Sequence, residues 1–99
     1  MQKTNSKQIK GAYQSWMRSN EENIFQAYDR PSHAKINAWE YCENLCKKHN
    51  GHGLRVIGHS CHFFSAGFIG DVEDEKTGEL QKSFVYITAG NDRYMPLVD

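Results

Sequence analysis

The chain has 99 residues, with 12 Lys plus Arg against 12 Asp plus Glu, 38% hydrophobic and 24% charged, the balance of one small soluble domain spanning residues 1–99. At that length folding hides only about two-thirds of the unfolded chain's surface, which excludes two domains or a large cofactor cleft. A formal net charge of zero removes the global footprint of a protein that holds nucleic acid or anionic lipid by counterion release.

From Ser6 to Arg18 the apolar residues Ile9, Ala12, Tyr13, Trp16 and Met17 recur at the spacing of one helix stripe. Asn20-Glu21-Glu22-Asn23 breaks the pattern, and Ile24 to Tyr28 reads as an irregular connector ending at Asp29-Arg30-Pro31. Pro31-Ser32 marks a helix start, since proline disfavours helix at Arg30 and the Ser32 hydroxyl can accept from a first-turn amide. Ile36, Trp39, Cys42, Leu45, Cys46 and His49 then form a second stripe. Asn50-Gly51-His52-Gly53 supplies a left-handed stop, and Lys47-Lys48-His49 suits the negative end of that helix.

Beyond Gly53 the period becomes two. Leu54 and Val56 alternate with Arg55 and Ile57, and Phe63 to Ile69 makes a second, denser strand. Lys76-Thr77-Gly78 predicts a hairpin loop before a third strand, Ser83 to Thr88. After the Gly90-Asn91-Asp92 turn, Arg93 to Leu97 suggests a short edge strand, because Pro96 cannot donate to a ladder. Two helices followed by strands give an α+β fold: two amphipathic helices packed on one face of a three- to four-stranded antiparallel sheet.

Both alternating sets of that sheet are apolar. Phe64, Ala66, Phe68, Val85 and Ile87 share one side, and Phe63, Ile69, Phe84 and Tyr86 the other. Two helices on one face leave the other bare, so either Ile24 to Tyr28 wraps it or a partner does. Assigning the first set to the helices turns Phe63, Ile69, Phe84 and Tyr86 outward as partner-binding residues, with Arg93 and Tyr94 flanking the same edge. A one-residue bulge near Gly67 or Gly70 would exchange the two sets.

Cys42, Cys46, His49, His52, His59, Cys61 and His62 lie within 21 positions and hold the ligand types of a structural zinc. No Cys-x-x-Cys knuckle fixes them, and Cys42 and Cys46 share the stripe of Trp39, so buried thiols without a cofactor are the simpler reading. Three cysteines, an odd number, fit reduced thiols rather than a disulfide framework. Cys61 beside His59 or His62, oriented by Asp71 or Asp92, holds the elements of a nucleophile and base without the spacing that identifies one. The acids Glu73, Asp74, Glu75 and Glu79 crowd a hairpin tip, where solvation explains them. His62 to Phe68 lacks the basic-Gly-aromatic core of an RNA-recognition strand.

The strings Tyr28-Asp29-Arg30-Pro31-Ser32, Ala34-Lys35, Trp39-Glu40-Tyr41-Cys42, Phe64-Ser65-Ala66-Gly67-Phe68 and Tyr86-Ile87-Thr88 resemble small uncharacterised proteins of phages and mobile elements of Gram-positive gut bacteria. The resemblance implies an accessory factor, of the kind that includes anti-CRISPR inhibitors of host defence, and carries over no site residue. The expectation is a non-enzymatic protein-binding module without cofactor, whose partner is a host protein or a second copy. The alternative is a zinc-stabilised nucleic-acid-binding domain using Lys47, Lys48 and Arg55. No apolar run approaches the roughly 20 residues that span a bilayer, and Met1 to Ser6 lacks a signal segment, so no membrane partner and a cytoplasmic location are expected.

Overall fold

The computed structural model describes residues 2–3, 6–19, 33–59, 64–88 and 91–97. The elements in chain order are β1 (Gln2–Lys3), α1 (Ser6–Arg18), α2 (His33–Lys48), β2 (His52–His59), β3 (Phe64–Glu73), β4 (Leu80–Thr88) and β5 (Asn91–Pro96). Strands β2 to β5 pair antiparallel with their sequence neighbours, and β1 adds to β5 in parallel, giving the order β1-β5-β4-β3-β2. The α+β class, the two helices and the antiparallel sheet are those expected. The connector Ile24 to Tyr28, the helix-start pair Pro31-Ser32 and the residues Cys61, His62 and Phe63 lie outside the described residues.

Alternation along the strands sorts the core into two layers. Val56, Ala66, Phe68, Val72, Val85, Ile87 and Tyr94 pack with Trp39 and Cys42 of α2. Ile69 and Phe84 pack with Ile9 and Trp16 of α1, joined by partly buried Ile57, Tyr86 and Met95. Phe84 and Val85 are consecutive and both fully buried, which requires cover on both sides of the sheet. The helices therefore do not share a face: α2 covers one and α1 the other. The side bearing Ile69 and Phe84, expected to be bare, is closed by the first helix.

The sets expected to alternate do so in register. Ala66↔Ile87, Phe68↔Val85 and Ile69↔Phe84 pair without a shift through to Glu73↔Leu80. The irregularities fall instead in β2, between His52 and Arg55 and between Val56 and Gly58. Gly53, inside the first of these, has φ of 71°, a conformation open to glycine and costly to other residues.

Local chemistry explains the ends. Asn50 takes φ of 52°. Gly51 N–H donates to Cys46 O at 2.7 Å and Asn50 N–H to Lys47 O at 3.1 Å, the paired bonds that close a helix on a left-handed residue. At the β3–β4 turn the Asp74 carboxylate accepts from the Lys76 and Thr77 amides at 2.8 and 3.1 Å, and Gly78 has φ of 73°. Strand β5 is not the sheet edge, since β1 pairs with it at Arg93 and Tyr94. Pro96 lies beyond those two partners, where its missing N–H interrupts no bond to β1. Among the described residues no helix is long and apolar enough to cross a membrane.

Candidate functional site

The face under α1 is sealed by aromatic rings. Phe84 meets Tyr13 at 5.2 Å and Trp16 at 5.7 Å between centroids, both tilted, and stacks with Tyr86 at 6.4 Å. Gly67 makes this possible: a Cβ there would come within 2.7 Å of the Phe84 ring. The end of α1 is tied to β2 from both sides. Trp16 Nε1 donates to Gly53 O at 2.7 Å and Ser19 Oγ to Val56 O at 2.9 Å. In return Arg55 donates to Trp16 O at 3.1 Å and Ser19 O at 3.0 Å, its guanidinium 4.7 Å from the Trp16 ring. A cation satisfying carbonyls at a helix C-terminus is well placed against the helix dipole.

The face under α2 closes less completely. Where α2 stops at Lys48, a cleft of about 370 Å³ opens between the helix, the β3–β4 hairpin and β5. Tyr41, Leu45, Lys48 and His49 line it from the helix side, Val72, Glu73 and Glu75 from the hairpin, and Asp92 and Tyr94 from β5. Asp92 and Tyr94 are two residues apart and so share a face of their strand. Tyr41, half-exposed, donates from its hydroxyl to Asp92 Oδ2, bridging α2 to β5. His49 bonds through Nδ1 to the Asp71 carbonyl at 2.9 Å and stacks on Phe68. A carbonyl only accepts, so Nδ1 carries the hydrogen, leaving Nε2 of the neutral ring an acceptor.

Tyr94 is the anomaly of the cleft. It is 2% exposed, and its hydroxyl has no hydrogen-bond partner. A buried hydroxyl without a partner costs roughly 1–3 kcal/mol of desolvation. Burial, with Glu75 and Asp74 nearby, pushes its ionisation upward. The bond to Asp92, burial and the Asp92 charge raise Tyr41 to about 12. Burial first, then the charges of Asp92 and Glu43, pushes the Cys42 thiol to about 12. All three groups are held protonated, and carboxylates contribute each time. The field in this part of the protein is negative.

Of the residues expected to bind a partner, Ile69 and Phe84 are buried under α1 rather than turned outward. Tyr86 and Arg93 are partly exposed; Tyr86 packs into the same layer. Tyr94 belongs to the opposite face and is buried under α2. Phe63 lies outside the described residues.

Cys42 is a core residue beside Trp39, and Cys46 packs at its border. Among the described residues no three His, Cys, Asp or Glu side chains converge as metal ligands. The side chain of His59 and the whole of Cys61 and His62 are outside that set. Arg55, placed in a basic patch with Lys47 and Lys48, is engaged with the end of α1, and Lys48 lines the acidic cleft.

Sequence reasoning missed Tyr41, Glu75 and the cleft itself. A signal was present: Tyr41, Leu45 and Lys48 follow helical spacing one step round from the buried stripe. The hairpin acids, explained by solvation alone, include Glu73 and Glu75 of the cleft wall. The chain matches no protein-family model, no curated protein and no solved structure.

Proposed function

We propose that this protein is a protein-binding module whose docking site is the cleft between α2, the β3–β4 hairpin and β5. The observation that carries this reading is the buried, unpartnered Tyr94 hydroxyl in the wall of an open cavity. Folding alone leaves that group unsatisfied, and a bound group would satisfy it. Half-exposed Tyr41 at the rim adds an amphipathic aromatic of the type that anchors interfaces. The partner is a different protein. In its finer form, supported by the resemblance to phage and mobile-element proteins, that partner is a host defence protein and the module its inhibitor.

Affinity capture with the full chain tests this reading. Wild type should retain a discrete partner from bacterial lysate, the double variant Tyr41→Ala with Asp92→Ala should lose it, and Met17→Ala, on the exposed side of α1, should keep it. Equal capture by the cleft variant overturns the site. Retention of nothing but a second copy, seen as a dimer by light scattering, overturns the heterologous partner.

A further inference from the structure

We infer that the cleft receives a protonated amine or guanidinium, presented as a lysine or arginine side chain projecting from a protein partner. This rests on the protein-binding reading and adds the chemistry of what enters.

Acceptors dominate the cavity. The carboxylates of Glu73, Glu75 and Asp92 line it against one ammonium, that of exposed Lys48. The Nε2 atom of His49 adds a lone pair, since Nδ1 is occupied by the Asp71 carbonyl. The Asp92 oxygen bound by Tyr41 is fixed in place, which holds that carboxylate at the cleft instead of letting it swing into solvent. An ammonium brings three N–H donors and a guanidinium five, enough to give the Tyr94 oxygen its missing partner while pairing with a carboxylate. Tyr41 and Tyr94 also supply ring faces, which attract cations.

The other ligand classes fit poorly. An anion would meet three carboxylates. A neutral apolar group would strip water from them and return no hydrogen bond. An end-on side chain suits a cavity that is open on one side, with its rim residues Tyr41 and Lys48 free to meet the partner's backbone.

Titration of the isotope-labelled full chain by NMR tests the inference. The probes are Nα-acetyl-lysine methylamide, its arginine counterpart, the neutral norleucine counterpart of the same shape, and putrescine as a free diamine. The two cationic amino-acid probes should shift Tyr41, His49, Glu75, Asp92 and Tyr94, and norleucine should not. Tyr94→Phe should weaken binding about tenfold, as the loss of one hydrogen bond to a charged group does, with its melting temperature held or raised. Glu75→Gln, a change at an exposed position, should weaken binding without touching the fold.

Equal binding of norleucine, or unchanged binding by both variants, overturns the inference. Putrescine binding more tightly than the lysine probe overturns the side-chain form in favour of a free cation. If partner capture depends on the cleft while basic probes leave it unmoved, the ligand class fails and the protein-binding reading stands. Probes that bind the cleft of a chain that captures no protein overturn that reading alone.

Discussion

The two faces of the sheet are built to different standards. Under α1, rings from helix and strand interlock over Phe84, and four hydrogen bonds between the helix end and β2 close the margin. Under α2 an interior of Phe68, Val85 and Cys42 is as deeply buried, yet its border is an open cleft holding a hydroxyl without a partner. One face has its polar groups satisfied at the margin and the other does not. An unsatisfied group beside a cavity marks the side at which the molecule meets something else.

The largest effects should break each layer in turn. Phe84→Ala and Phe68→Ala, both at fully buried rings, should each cost about 3–5 kcal/mol in urea unfolding. Had the Phe84 side been a docking face, its variant would cost less than about 1 kcal/mol, so this comparison tests directly whether α1 covers it.

Alkaline unfolding sharpens the contrast, because the raised groups Cys42 and Tyr41 both sit on the α2 side. Cys42 rises from 9.0 to about 12 and Tyr41 from 10.0 to about 12. Raised values mean that the unfolded chain releases these protons first. Above pH 9 it binds fewer protons than the folded chain, so stability is full below that pH and falls as pH climbs through 12. For buried Cys42 a shift of about three units corresponds to roughly 4 kcal/mol at most. Cys42→Ala should flatten this loss, at some cost at neutral pH. A slope unchanged in that variant would assign the effect elsewhere.

Gly53→Ala probes the margin of the α1 face. The position has φ of 71°, and a Cβ would stand 2.9 Å from Trp16 Cζ2. Strained backbone and ring clash together should cost roughly 1–3 kcal/mol, with a change in Trp16 fluorescence. A neutral substitution would show that the α1 margin is looser than its hydrogen bonds imply.

Much of this was legible in the chain and some was not. The stripe Ile9, Tyr13 and Trp16 and the stripe Trp39, Cys42 and Cys46 name their helices, because burial on one side imposes a 3.6 period. Alternation likewise separated Phe84 from Val85. It did not say which layer either helix joins, since both sheet faces are apolar and either would accept either stripe. The bulges of β2 at Gly53 and Ile57 were equally hidden, because the signal there is one residue of register, while Gly67 and Gly70 drew attention to β3. Two-residue β1 is too short to show a period. The cleft was the least visible feature: Tyr41 and Asp92 are 51 residues apart, and Tyr94 becomes unusual only once burial has removed its water.

That hydroxyl is where the account is most exposed. Tyr94→Phe deletes one oxygen and leaves the ring in place. If the oxygen has no partner in the free protein, its removal lifts a desolvation cost, and urea unfolding should show equal stability or a gain of up to about 1 kcal/mol. A loss of more than about 1 kcal/mol would mean that the oxygen is already bonded within the fold, and would contradict the claim that the α2 face waits for a ligand.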